Sequence, residues 1–268
     1  MNLSVSNIAW SAEYDEEMYD FLNNNGINGL EIAPTCIFQY HPYDNLVQAK
    51  DFACRLKEDY GIVISSIQSI WFGITESIFD SDSCRQRLVD YTKKAIDFAC
   101  MLGCSNIVFG CPQNRTVPSD ITPNQYLPIA YDFFNQIGDY ASACRTYIAI
   151  EPNPAIYNTN FINTTPEAFE ICHELNNPGI KINADIGTLI HNNENIEILI
   201  DNINLINHIH ISEPYLVPIK KRILHNELKN KLQGTNYDKF LSVEMSNNNN
   251  IELVKTALLY IKELYGDI

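Results

Sequence analysis

Short apolar runs alternate with longer segments in which apolar residues recur every three or four positions, and the rhythm repeats along the whole chain. The runs are rich in β-branched residues and predict strands over 3–10, 30–33, 62–69, 106–110, 147–151, 181–185, 206–210 and 240–244. The segments between them predict helices over about 12–25, 44–60, 83–102, 194–203, 224–232 and 251–265. The 83–102 segment is the clearest. Leu88, Tyr91, Ala95, Phe98, Ala99 and Leu102 share one face, and Gly103 stands where a left-handed cap belongs. Two further helices open on a threonine followed by proline, at Thr122-Pro123 and Thr165-Pro166. In the first, Gln125 is placed to complete a capping box.

Strand then helix, eight times, predicts an α/β protein with a parallel sheet and helices outside it. The 268 residues sit close to the roughly 250 of a single (β/α)₈ TIM barrel, so one domain over 1–268 is expected.

Composition narrows the setting. No apolar run approaches the roughly 20 residues of a membrane span, so no membrane partner is expected. The first residues lack a basic stretch ahead of an apolar one, and the eight cysteines form no C-x-x-C pair. Both point to a cytoplasmic protein with reduced thiols. Eighteen basic against 33 acidic residues leave a formal charge of −15, which repels phosphate backbones and argues against nucleic acid as a partner. The same charge draws in cations. Oligomeric state is open, and a homo-oligomer is compatible with the sequence.

Four of the strands end on residues that bind metals: Glu151, Asp185, His210 and Glu244, at separations of 34, 25 and 34 residues. Each gap holds a loop, a helix and the next strand, so the four ends fall on one rim of a parallel barrel. Taken singly, each reads as a cap or an ion-pair partner. Together they imply a shared counter-ion, because an unpaired carboxylate in a buried strand is costly. Three carboxylates and one imidazole suit one hard or borderline divalent ion, Mn²⁺ foremost, with Mg²⁺ or Co²⁺ as alternatives. Zn²⁺ remains open, although its sites more often carry extra His or Cys. His208 is expected to turn toward the helices, as a packed or supporting histidine.

Other polar groups near the predicted rim are candidate substrate contacts. They are Glu31, Gln68, Arg115, Asn153, Tyr157 and His225. Arg115 suits a phosphate or carboxylate clamp, and a surface loop arginine would look the same.

The chain resembles the sugar isomerase/epimerase superfamily, the xylose isomerase-like barrels that also include endonuclease IV. The carriers are Ser6-Asn7-Ile8-Ala9-Trp10, Gly29-Leu30-Glu31-Ile32-Ala33-Pro34-Thr35 and Phe109-Gly110-Cys111-Pro112-Gln113-Asn114-Arg115. With them go Ile150-Glu151-Pro152-Asn153-Pro154, His208-Ile209-His210-Ile211-Ser212-Glu213-Pro214 and Leu241-Ser242-Val243-Glu244-Met245. The resemblance to the ketose 3-epimerase branch implies that Glu151 and Glu244 bind the metal and act as acid and base on opposite faces of a sugar. Asp185 and His210 would complete the metal set.

Three positions depart from that branch. Thr188 stands where it has His, Tyr157 where it has Glu, and Leu216 where it has Arg. The ligand set is kept and the usual sugar contacts are not, so a psicose or tagatose epimerase is not expected. Six histidines in all are too few for the trinuclear cluster of endonuclease IV. The expectation is a metal-dependent isomerase or epimerase of a carbohydrate, sugar phosphate or related polyol, working through an enediolate. An inosose-type dehydratase on the same site is the nearest rival, and a metal-binding barrel without turnover is another.

Overall fold

A computed structural model describes residues 1–266. Among them, eight parallel strands close into one barrel in chain order. They are β1 (Asn2–Ser6), β2 (Gly29–Ile32), β3 (Val63–Ile67), β4 (Asn106–Phe109), β5 (Tyr147–Ile150), β6 (Ile180–Asp185), β7 (Ile206–Ile211) and β8 (Phe240–Val243). The ring closes where β1 pairs with β8, Leu3 against Leu241 and Val5 against Val243. Outside lie α1 (Asp15–Asn24), α2 (Pro34–Ile37), α3 (Leu46–Tyr60), α4 (Asp82–Met101), α5 (Pro123–Ala143), α6 (Thr165–Leu175), α7 (Ile186–Asn192), α8 (Glu197–Asp201), α9 (Ile223–Leu232) and α10 (Ile251–Tyr265). The predicted (β/α)₈ TIM barrel is the observed fold.

The strands alternate polar and apolar. Leu3, Val5, Ile148, Ile150, Ile209, Ile211, Leu241 and Val243 are buried and belong to the apolar cluster shared with the helices. Polar residues line the lumen. Ser4 Oγ meets Ser65 Oγ of β3 at 2.6 Å, Asn106 Nδ2 donates to Ser66 Oγ at 2.9 Å, and Asn207 Nδ2 donates to Asn106 Oδ1 at 2.7 Å. The first and last of these bonds cross the barrel, between strands that are not neighbours. Register shifts place one extra residue in β3, at Ser65, and one in β7, at Asn207.

Element boundaries differ from the sequence reading in three instructive places. The first strand stops at Ser6, because the Ser6 hydroxyl caps a single 3₁₀ turn at Asn7–Ala9. Helix α6 is capped by Thr164 rather than Thr165, since Thr164 stands three residues before Glu167 and the two form a capping box. The helix expected over 194–203 is the short α8, and an unexpected helix precedes it: α7 starts directly on β6 with Asp185 as its N-cap. A strand that passes into a helix without a loop leaves no turn residues to mark the change.

Candidate metal centre

Glu151 and Glu244 follow β5 and β8, Asp185 ends β6 and His210 is the last residue but one of β7, and all four converge at the carboxyl-terminal mouth of the barrel. One ligand atom from each lies within 4.8 Å of the other three. His210 is 0% exposed, and the carboxylates are 7–9% exposed, so the cluster is buried but open to one side.

The imidazole of His210 is held from below. Its Nε2 lies 2.9 Å from Glu31 Oε2, within hydrogen-bonding geometry. Gln68 Nε2 donates to the other Glu31 oxygen at 3.0 Å and to Ser6 Oγ at 2.7 Å. Nδ1 of His210 lies 2.9 Å from Glu151 Oε1 and 3.1 Å from Glu244 Oε2, yet makes a hydrogen bond with neither. It aims between two carboxylates, as a lone pair directed at a cation would.

Each carboxylate is positioned differently. Glu151 Oε1 accepts from Asn183 Nδ2 at 2.7 Å, and Oε2 accepts from Asn153 Nδ2 at 2.9 Å. Asp185 accepts from the backbone N–H groups of Gly187 and Thr188 and from the Ser212 hydroxyl. The Thr188 hydroxyl lies 2.8 Å from Asp185 Oδ2 and 2.9 Å from the Pro152 carbonyl oxygen. Thr188 is therefore buried beneath Asp185. Among the described residues, His210 is the one charged contact of the Glu244 carboxylate.

The electrostatics follow from burial and crowding. Burial pushes Glu244 up to about 7, against the opposing pull of His210. Burial and the nearby Glu151 raise Asp185. Burial alone would raise Glu151 and Glu31, but His210 outweighs it and both lie below the usual carboxylate range. Burial lowers His210, yet Glu244, Glu31 and Glu151 together hold it well above an ordinary imidazole. A buried excess of negative charge is expensive unless countered, and a divalent cation among these four donors would counter it. The donor set, the unpaired Nδ1 and the room left beside Glu151 fit such an ion. That room exists because residue 110 is glycine. A Cβ there would stand 2.8 Å from Glu151 Oε2.

The mouth is a cavity of about 160 Å³ lined by Pro112, Glu151, Asn153, Tyr157, Asp185, Leu216 and Glu244. Asn153 and Tyr157 thus reach the cavity. Glu31, Gln68, Arg115 and His225 lie behind its wall. Glu31 is fully buried under His210, and Gln68 braces it. Arg115 is 0% exposed and spends Nη2 on Asn153 Oδ1 and on the carbonyls of Glu151 and Ile162. A substrate phosphate does not reach it. His225, on α9, faces Tyr260 of α10, with Nδ1 3.1 Å from the phenol oxygen.

His208 is a correction to the sequence reading. It faces the lumen, with Nε2 3.3 Å from Glu31 Oε2, and both its ring nitrogens lack a hydrogen-bond partner. Residues two apart on a strand share a face, so His208 follows His210 inward. Asn183, which holds Glu151, was missed altogether. Its position two residues before Asp185 on β6 was the available signal.

The fold is shared with solved structures of low sequence identity. A 3-keto-D-glucoside 4-epimerase from E. coli superposes with a TM-score of 0.80 at 18% identity, covering 98% of this chain and 99% of its own. A D-psicose 3-epimerase from Clostridium cellulolyticum H10, solved with D-tagatose, gives 0.79 at 15%, covering 98% and 99%. A probable 3-DHS dehydratase from Bacillus anthracis gives 0.76 at 17%, also covering 98% and 99%. No curated protein sequence matches the chain. Residues 19–264 match the family described as the xylose isomerase-like TIM barrel, and the chain belongs to that family.

Proposed function

We propose that this barrel is a divalent-metal-dependent isomerase or epimerase that moves a proton beside the carbonyl of a sugar or related polyol. The observation that carries the reading is the convergence of Glu151 and Glu244 on His210 Nδ1 from two different strands. Glu151, Asp185, His210 and Glu244 would hold the ion, with Mn²⁺ the best match to the donor set. When bound, such an ion polarises a carbonyl and the neighbouring hydroxyl and so acidifies the C–H between them.

The chain supplies the rest. Glu151 and Glu244 are the acid and base: one carboxylate takes the C–H proton and the other returns a proton from the opposite face. Asn183 and Asn153 fix Glu151 in place, whereas Glu244 is more loosely held and free to follow the proton. Glu31 and Gln68 act on His210 from beneath, as positioning residues. Asn153 and Tyr157 border the sugar. The family membership and the epimerases among the structural neighbours support the class of reaction. The eight scattered cysteines, without a C-x-x-C pair, support a cytoplasmic setting.

The test is incorporation of solvent deuterium into a panel of ketoses and sugar phosphates by the Mn²⁺-loaded protein, followed by NMR. Exchange with inversion or carbonyl migration is expected, and it should vanish in Glu151→Gln and Glu244→Gln. Loss of a hydroxyl instead would make the protein a lyase. No exchange with any compound, in protein that binds the ion, would leave a metal-binding barrel without turnover.

A further inference from the structure

The wall of the cavity specifies its substrate more narrowly than the ligand set does. Once Glu151, Asp185 and Glu244 are assigned to the ion, four lining residues remain: Pro112, Asn153, Tyr157 and Leu216. Two of them are apolar. Asn153 keeps one Nδ2 proton and one Oδ1 lone pair, since Nδ2 donates to Glu151 and Oδ1 accepts from Arg115. The Tyr157 oxygen accepts from the backbone N–H of Tyr215 at 2.8 Å, which leaves the phenol proton for a ligand.

No lysine or arginine lines the cavity. Arg115 is sealed behind it, and Arg222 is paired with the buried Glu213 through two nitrogens. An anionic group placed here would add to the net negative charge that three carboxylates keep beside one divalent ion. A polyol hydroxyl turned toward Pro112 or Leu216 would lose its water partners and find none in the protein, a loss worth about tenfold or more in affinity.

The volume of about 160 Å³ is below the roughly 300–1,000 Å³ of drug-sized sites, so a single small sugar is the right scale. Leu216 is fixed in this wall. Residues Tyr215 and Leu216 both adopt positive φ, 62° and 52°, and the Leu216 carbonyl accepts from the backbone N–H and hydroxyl of Ser246 beyond β8.

We infer that the substrate is a neutral deoxy sugar: an α-hydroxycarbonyl at the metal end and a methyl or methylene end against Leu216 and Pro112. This rests on the isomerase/epimerase reading and names the substrate class within it.

The test compares three matched compounds with Mn²⁺-loaded protein: a ketohexose, its terminally deoxygenated analogue and its terminal phosphate. Solvent deuterium incorporation gives kcat/KM, and calorimetry gives Kd independently of turnover. The deoxy compound should lead the parent ketose by tenfold or more in both measures, with the phosphate undetectable. Leu216→Gln should shrink the deoxy preference to near unity by favouring the hydroxylated compound. Equal or better use of the phosphate, or a deoxy preference unchanged in Leu216→Gln, would overturn the inference while leaving the isomerase reading intact. Absence of exchange and binding with all three would instead overturn the isomerase reading and the inference with it.

Discussion

The 2.9 Å contact between His210 Nε2 and Glu31 Oε2 decides which nitrogen of the histidine is available for metal. A carboxylate acceptor at Nε2 keeps a proton there and leaves Nδ1, which faces Glu151 and Glu244, as the nitrogen whose proton a metal would displace. Partners of this kind typically carry 10- to 100-fold of metal affinity. Glu31→Gln keeps the shape and removes the charge. Its Mn²⁺ affinity, measured by calorimetry, should fall by about 10- to 100-fold. Unchanged affinity would show that Glu31 does not orient the ring.

Gly110 leaves the space into which Glu151 Oε2 projects. In Gly110→Ala the new Cβ would meet that oxygen at 2.8 Å, and Asn183 and Asn153 limit how far the carboxylate can retreat. Mn²⁺ binding should weaken by about tenfold, the equivalent of about 1.4 kcal/mol. The melting temperature of the metal-free protein should change little.

Ion binding should also register as stability. A ligand that binds only the folded state adds about 2.7 kcal/mol at a concentration of 100 times its Kd. For a chain of this size that is a rise of roughly 5–10 °C in melting temperature. Chelation should reverse it. Asp185→Asn, His210→Ala or Glu244→Ala should each abolish most of the rise. A melting temperature indifferent to Mn²⁺, Mg²⁺, Co²⁺ and Zn²⁺ would count against the metal centre.

His225 offers a pH-dependent test remote from the metal. It is fully buried between α9 and α10, and burial lowers its pKa to about 4. The folded state therefore prefers the neutral ring, and the unfolded chain takes up the proton first, near the ordinary 6.5. Stability from this group is fully present above pH 6.5 and drains away as pH falls toward 4. Between pH 7 and 5 the loss should be about 2 kcal/mol. Denaturant titrations of the protein and of His225→Asn should diverge at pH 7 and converge by that amount at pH 5. Parallel pH curves would show that His225 is not the cause.

Much of the candidate site was legible because its four donors stand at or next to strand ends, and the strand period fixes where such a residue projects. Glu151, Asp185, His210 and Glu244 could be found that way, as could the eightfold alternation. The rest was hidden for physical reasons. Glu31 and Arg115 are charged residues near strand ends, and sequence does not tell a group facing solvent from one locked beneath a neighbour. His225 on a helix gave no sign that α10 would cover it. Helix α7 lacked a preceding turn. The lumen was also unexpected. Serine and asparagine between isoleucines read as interruptions in a strand, whereas here they form hydrogen bonds across the barrel.

Those cross-barrel bonds have a kinetic consequence. Ser4 with Ser65, and Asn207 with Asn106 and Ser66, bridge the lumen, so a substrate of the proposed reaction would reach the site through the carboxyl-terminal mouth. On the proposed reading, an ion held by Glu151, Asp185, His210 and Glu244 would load before the sugar. Product would then leave by the path the next substrate enters, so the two should compete for one seat.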